Sequence, residues 1–484
     1  MTDAAHAAAL EAATAAQALA ANPNRSAYAT ANAGSGKTKV LIDRVARLLL
    51  RRPDGRPGAN PDSILCITYT RAAASEMLTR LFETLGRWAV MEDDPLRQAL
   101  ARLEEALPEN YALDQLKAAR ALFARALETP GGLRIETIHA FCARILRRFP
   151  LEAGVMPGFT ELEEDEAREI WQTAKRTAIL RAAETSPVSL ALLAREAGRD
   201  GAMSALDALK SAGRSLRAFA GLHGDHWPAM EQALRAVIRP PEATPDELIE
   251  RAMGPDFPVA GIRFAIAALD GGKVTDGKTA DLLREVLSVS AARERFDLYT
   301  SVFLTSAGEV RKKGPYTKGV ADAAPLVAEL FAIGDSSGTE TQRILALLDD
   351  LKRAKSFART KALMELGLPA LADYAAEKTR RGALDFDDLI ERTRDMLASE
   401  GLASWVLYKL DGGLSHVLLD EAQDTSPAQW ELIRALTQEF TAGQGIERLR
   451  DPRTIFMVGD EKQSIYSFQG ADPARFLKET QALT

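Results

Sequence analysis

The residues best suited to chemistry fall in three clusters. In "ATANAGSGKTKV" (Ala29–Val40), Gly34 and Gly36 frame a tight turn whose backbone amides, including those of Ala33 and Ser35, can close on an anion. Lys37 follows where it could reach the outer phosphates of a nucleoside triphosphate, and Thr38 offers a hydroxyl to Mg²⁺. A helix starting at Lys37 would turn its positive end toward the same anion. The plain alternative is a glycine-rich turn before an unrelated helix. The general pattern G-x-x-x-x-G-K-[ST] has a glycine where this chain has Ala31.

In "VLLDEAQD" (417–424) an apolar run ends in two adjacent carboxylates. Asp420 suits a Mg²⁺ ion held through water, and Glu421 suits orienting and deprotonating an attacking water. Alone, such a pair also describes a solvated strand end. The third cluster is "VGDEKQSIYSFQGAD" (458–472). There Gln463 is a neutral amide able to contact a γ-phosphate and register its loss. Lys37, Asp420, Glu421 and Gln463 make up the candidate catalytic set. Tyr466 and Phe468, two apart, would face the same side of an extended segment, where bases could stack at ~1–3 kcal/mol each. The same rings could instead be core.

Positioning these clusters calls for a parallel sheet. Candidate strands are "SAYATA" (26–31), "SILCITY" (63–69), "LRIETI" (133–138), "HVLLD" (416–420) and "RTIFMVG" (453–459). The more apolar runs are nearly continuous, as strands covered on both faces are, and each precedes a turn and a helical pattern. This is the rhythm of a doubly wound α/β domain, whose sites gather at the carboxyl ends of strands. From about Leu151 to Thr379 the pattern is helical, for example "EAREIWQTAKRTAILRAA" (166–183), cut by "RPPEATPDE" (239–247), "DGGKVTDGK" (270–278) and "GDSSGTE" (334–340). A mostly helical domain inserted into the α/β domain is preferred over two sequential domains, because the late strands carry residues that complete the early loop's chemistry.

The 484 residues carry a net charge of −7, with 46% apolar and 27% charged residues, an ordinary soluble composition. No uncharged apolar run nears the ~18 residues of a membrane span. The acidic start "MTDAAHAAALEAATAAQALAANP" lacks the basic end of a secretory signal. Two cysteines, Cys66 and Cys142, cannot build a disulfide framework, and a reducing cytoplasm is the simple expectation. The net charge neither points to nucleic acid nor excludes it, because phosphate attraction acts within a Debye length of ~8–10 Å.

The three clusters, with "CITYTRAAASEM" (66–77), "IETIHAFCARIL" (135–146) and "LDFDDLI" (384–390), resemble the ordered motifs of superfamily 1 DNA helicases of the UvrD/RecB group. Within that group the form of "ANAGSGKT", "TRAAASEM", "TIHAFC" and "SFQGAD" is most similar to the AddA helicase-nuclease subunits. The likeness covers about 1–148 and 380–472; between them only position and helical character agree. The form A-x-A-G-S-G-K-T, with Ala31, is the one these helicases use.

The resemblance implies a RecA-like P-loop NTPase domain, 1–148 with 380–484, serving as the first motor domain and interrupted by a helical insertion at 149–379 that contacts DNA. It implies ATP and Mg²⁺, single-stranded and duplex DNA, an AddB-like partner subunit, 3′–5′ translocation and a role in double-strand break repair and recombination. Residue by residue, Gln17 would read the adenine. Thr68, Tyr69 and Thr70, then Thr137 and His139, would touch single-stranded DNA, and Tyr466 and Phe468 would hold bases between them. Asp424 would link the nucleotide site to the motor interface. Read without the family, His139 is a hydrogen-bonded core histidine.

Three departures stand out. Phe468-Gln469-Gly470 replaces the frequent Trp-Arg-Gly, Lys39 replaces an arginine, and the sequence given stops at Thr484, before the family's second motor domain and nuclease. Nucleotide binding, very slow hydrolysis and no unwinding are therefore expected of these residues alone. A truncated UvrD-type repair helicase without nuclease, and a DNA-binding module switched by ATP without hydrolysis, are the rival readings. Four other segments carry weaker signals. "HGDH" (223–226) reads as a surface loop, and "VRKKGPYTKG" (310–319) as a solvated basic loop or a DNA contact. "ELEEDEARE" (161–169) reads as a helix start, and the carboxylates of "LDFDDL" as a polar face without catalysis.

Overall fold

The computed structural model describes residues 17, 19–30, 36–52, 55–332, 339–399, 405, 406, 409, 414–442 and 452–460. Ala31, Ala33, Gly34, Ser35, Gln463, Tyr466 and Phe468 lie outside the described residues. The chain divides into two compact units, Met1–Ala167 with Lys378–Thr484, and Arg168–Glu377.

The first unit is built on a five-stranded, all-parallel sheet. Its described elements begin with β1 (Ala27–Thr30), α1 (Lys37–Leu49), β2 (Ile64–Thr68), α2 (Arg71–Val90), α3 (Asp93–Glu104), α4 (Leu113–Glu128), β3 (Arg134–Thr137) and α5 (Ile138–Arg148). After the two-residue strands β4 (Thr160–Glu161) and β5 (Ala383–Leu384) come α6 (Phe386–Ala398), β6 (His416–Leu419), α7 (Pro427–Ala442) and β7 (Thr454–Gly459). Strand order in the large sheet is β1-β7-β6-β2-β3.

The burial pattern explains the order. Every residue of β2, β6 and β7, the three inner strands, is buried, whereas the edge strands β1 and β3 are partly open. Continuous apolar runs are what strands covered on both faces require. Side chains alternate between the covers. Leu65, Ile67, Val417, Leu419, Ile455 and Met457 pack with Phe141, Leu389 and Trp430 of α5, α6 and α7. Cys66, Leu418, Phe456 and Val458 pack with Val45, Leu81 and Leu122 of α1, α2 and α4. Both cysteines are free and buried, and burial raises both thiol pKa values, that of Cys142 to about 12.

Strands β4 and β5, too short for any periodic signal, pair in parallel where the chain leaves the first unit and returns. The carboxylates of "LDFDDL" differ from a simple polar face. Asp385 caps α6, accepting from the Asp388 amide (2.9 Å), while Asp388 accepts from the Asp385 amide (3.2 Å). Lys378 lies against both carboxylates, 2.9 Å from Asp385, and Asp385 and Lys378 are 4% and 7% exposed. Burial and the Asp385 charge hold the Asp388 carboxyl above the usual range. These side chains anchor a helix start.

The second unit contains helices and one isolated antiparallel bridge, Leu304 to Val310, among its described residues. Ile249, Met253, Phe257, Ile262, Tyr299 and Phe331 form a core cluster within it. In the breaker 239–247, Thr244 and Glu247 form a capping box that starts the helix Pro245–Met253. No described helix is long and apolar enough to cross a membrane.

Candidate nucleotide-binding site

Helix α1 begins directly after Gly36, which sits at φ 89° in the left-handed region. The positive φ is what calls for glycine, and the Nε2 of Gln17 lies close by, 3.2 Å from where a Cβ would stand. The start of α1 has no side-chain cap and no acidic residue in its first turn. Its leading amides and the positive end of its dipole suit an external anion.

Lys37, the first residue of α1, points to the end of β6, two strands away in the sheet. Its Nζ donates to Oε1 and Oε2 of Glu421 at 2.9 and 2.7 Å, with 11% of the Lys37 side chain exposed. The Asp420 amide donates to the Ile67 carbonyl (2.9 Å), continuing the ladder with β2. Glu421 then turns into the left-handed region (φ 47°, ψ 48°), unusual for a residue with a side chain. Backbone strain of this kind concentrates where a side chain must be aimed.

Gln423, to which sequence pattern assigns no role, holds that turn. Its Nε2 donates to Glu421 Oε2 (2.8 Å) and Asp424 Oδ2 (3.2 Å), and its Oε1 accepts from the Asp460 amide (2.9 Å) just beyond β7. One amide thus fastens the ends of β6 and β7 together. The available signal was a polar side chain following two carboxylates, but the partner that fixes its role lies 37 residues away.

The local field is strongly acidic. Burial, and next the Glu421 charge, raise Asp420 to about 6, against the opposing pull of Lys37. Burial and Glu421 likewise raise Asp424 to about 6. Asp424 Oδ1 is buried without a hydrogen-bond partner among the described residues. The orphaned Asp424 oxygen, the half-buried Asp420 carboxylate and the Thr38 hydroxyl are hard oxygen donors of the kind that Mg²⁺ prefers. The described residues hold no cluster of three or more His, Cys, Asp or Glu that could bind a metal alone.

Arg44, also unassigned from sequence, ties the amino-terminal segment to this frame. It is fully buried on α1 and donates to the carbonyls of Ala20 (3.0 Å), Asn22 (2.6 Å) and Arg25 (2.5 Å) and to Thr454 Oγ1 (3.2 Å). Its guanidinium lies 4.6 Å from the centre of the Phe456 ring. The segment it holds carries Gln17, whose carbonyl accepts from the Ala21 amide (2.9 Å) and whose own amide sits beside Gly36.

Thr68–Thr70 and Thr137–His139, expected to contact DNA, share the same lip of the sheet. Thr68 and Thr137 are register partners in β2 and β3, so Thr68–Thr70 and Thr137–His139 leave the sheet side by side. Their hydroxyls also serve the fold. Thr68 donates to the Thr70 carbonyl (3.1 Å), Thr70 caps α2 at Ala73 (3.1 Å), and Thr137 caps α5 at Ala140 (3.2 Å). Tyr69 is half-buried. The half-buried His139 ring rests on Phe386 with centroids 4.7 Å apart, and burial lowers its pKa to about 4, so it is neutral at physiological pH.

A parallel α/β sheet with Gly-Lys-Thr opening the helix after β1 and Asp-Glu closing β6 defines a P-loop nucleotide-binding domain. The chain belongs to the UvrD/REP helicase N-terminal domain family, which it matches over residues 12–484. It is 27% identical, over 93% of its length, to a Listeria monocytogenes protein named as the A subunit of an ATP-dependent helicase/nuclease. Relatives of the same name from Lactiplantibacillus plantarum and Pelotomaculum thermopropionicum are 25% and 28% identical over 95% and 93% of the chain. The chain spans about a third of these relatives, covering 35%, 36% and 34% of their lengths.

Proposed function

We propose that the chain is the ATP-binding motor region of an AddA-type, ATP-dependent DNA helicase. The observation that carries this reading is the Lys37–Glu421 pair, 2.7 and 2.9 Å across the carboxyl lip of a parallel sheet. An incoming triphosphate offers Lys37 stronger acceptors than one carboxylate does. As the Lys37 donors turn to the phosphate oxygens, Glu421 is released to orient a water and take its proton. Gln423 keeps Glu421 aimed while Lys37 moves away. Thr38 and Asp420 would hold Mg²⁺, which when bound neutralises charge on the phosphate oxygens. Gln17, beside Gly36, would read the adenine, and Gln463 would sense the γ-phosphate.

In this reading residues 1–148 with 380–484 form the first motor domain, and 149–379 form a helical insertion that contacts DNA. Thr68, Tyr69, Thr70, Thr137, His139, Tyr466 and Phe468 would line the path of a single strand, with the three threonines contributing backbone and methyl surface as well as hydroxyls. Asp424 would pass the state of the nucleotide to the motor interface. The likeness of the motifs to those of superfamily 1 helicases implies the rest of the proposal: DNA unwinding with 3′–5′ movement, an AddB-like partner, and recombinational repair in the cytoplasm. Taken alone, these residues hydrolyse ATP slowly, because Lys37 and Glu421 face the γ-phosphate from one side only.

The test is phosphate release from ATP across a pH series, with and without Mg²⁺. Release is expected to be slow and Mg²⁺-dependent. The Mg²⁺ concentration needed should rise below about pH 6, where a proton competes for Asp420. Release that is indifferent to Mg²⁺ contradicts the proposal.

A further inference from the structure

The end of α1 away from the nucleotide site gathers a second group of cations. The last turn of α1 lies at the amino edge of the sheet, where Asn22 and Asn24 lead into β1 and Pro452 leads into β7. Beyond α1 the chain doubles back on the helix. The Ala59 amide donates to the Leu48 carbonyl (2.8 Å). A Cβ on Gly58 would stand 2.3 Å from the Leu49 and Leu50 carbonyl oxygens, so only glycine permits this approach. Within the returning loop the Arg52 amide donates to the Arg56 carbonyl and the Gly55 amide to the Arg52 carbonyl, both at 2.9 Å. The return sets Arg51, Arg52 and Arg56 around the same space as Arg47 of the last helical turn.

Those four arginines, all half-buried, line a cavity of about 840 Å³. Arg51 is fixed there: it donates to the Gly55 carbonyl and pairs with Asp114, both at 2.6 Å. Burial lowers the Arg47 pKa, against the opposing charges of Glu104 and Glu105. Glu104 is the single carboxylate lining the cavity among the described residues, and it accepts from the Tyr111 hydroxyl (2.5 Å). Asn22 and Gln115, also on the wall, already use their oxygens, accepting from the Asn24 amide (3.0 Å) and the Ala112 amide (2.9 Å). What these two side chains still offer is N–H donors. A helix end attracts cations to its carbonyls, yet Arg51, Arg52 and Arg56 all lie beyond the last turn of α1.

We propose that this cavity is a second anion site, separate from the nucleotide lip, which takes a small ligand carrying two or more phosphate groups. Each guanidinium can hold two phosphate oxygens in its fork, and the amide donors suit the rest of the ligand. Four forks in a cavity of this size exceed what one phosphate uses, whereas linked phosphates can occupy several. The walls come from the segment before β1, from α1 and its loop, from residues 104–115 and from Pro452. Walls converging from four directions hold a small ligand better than a running polymer backbone. The inference goes beyond the motor reading and stands without it.

The test titrates inorganic pyrophosphate, without Mg²⁺, into the whole chain carrying Lys37→Ala, which silences the nucleotide lip. The same titration is made with Arg52→Gln and Arg56→Gln added. The Lys37→Ala protein is expected to bind pyrophosphate, and the added pair to weaken binding at least about tenfold through the loss of charge-assisted contacts. The pair leaves the backbone bonds of the loop and the Arg51–Asp114 ion pair in place. With Lys37 intact, it should bind Mg·ATP as wild type does, which also shows that it folds. Arg52→Lys with Arg56→Lys keeps the charge without the fork and should fall between. A Lys37→Ala protein that binds no pyrophosphate, or a glutamine pair that binds it equally well, overturns the assignment. Equal affinity for orthophosphate and pyrophosphate shows a single-anion site and overturns the ligand class. Displacement of pyrophosphate by a single-stranded oligonucleotide, beyond the effect of equal ionic strength in chloride, shows a nucleic-acid contact and overturns it as well.

Discussion

Glu421→Gln is expected to slow phosphate release from Mg·ATP by about 10²–10⁴-fold, the usual contribution of a positioned general base. The amide keeps the size of the carboxylate and can still accept from Lys37, but it cannot take a proton from water. Nucleotide affinity should stay within a few-fold of wild type or improve, because Lys37 is no longer held by a full charge at 2.7 and 2.9 Å. Single-turnover phosphate release, with a separate binding titration, distinguishes the two effects. A variant that hydrolyses at the wild-type rate removes Glu421 from the reaction and favours a nucleotide-switched binding module. The left-handed backbone at Glu421 makes the test local: the substitution keeps the side chain that the Gln423 amide holds in place.

Arg44→Leu carries the largest expected effect on stability. Leucine would remove a buried charge, yet leave the carbonyls of Ala20, Asn22 and Arg25 facing an apolar side chain. Each buried acceptor left without its donor costs about 1–3 kcal/mol, so a loss of several kcal/mol is expected here from chemical or thermal unfolding. Burial pulls the Arg44 pKa down to about 9, which leaves it cationic at neutral pH, so the charge is present to be removed. Arg44→Lys keeps a charge with fewer donor directions and should lose less. ATP affinity of any folded Arg44→Lys protein should fall, because the segment carrying Gln17 is no longer fastened at three carbonyls. A Leu variant within about 1 kcal/mol of wild type would show that the carbonyls find water or other partners.

The parts legible in the sequence were those whose signal is local. β2, β6 and β7 were readable because strands covered on both faces must be apolar throughout, and the helix start at Lys37 follows from Gly36. Residues whose work depends on distant partners were not legible. Gln423 takes its meaning from the Asp460 amide and Arg44 from three backbone carbonyls, neither of which a spacing rule can supply. Asp385 and Asp388 looked like solvated carboxylates because the helix turn carrying Lys378, which neutralises them, belongs to another element. Thr68, Thr70 and Thr137 show a further limit: one hydroxyl can cap a helix or brace a turn and still lie beside its neighbours at the mouth of the sheet, and sequence alone does not separate those uses.

The most direct measurement of the central claim is the equilibrium affinity of the whole chain for Mg·ATP, comparing wild type with Lys37→Ala. Wild type is expected to bind, and the variant to bind at least about 100-fold more weakly, equivalent to about 2.8 kcal/mol of binding free energy. The variant should remain folded, because the ion pair it removes sits at the edge of the sheet with 37% of the Glu421 side chain exposed. A folded Lys37→Ala protein that binds Mg·ATP as tightly as wild type would contradict the assignment of this lip of the sheet as the nucleotide site.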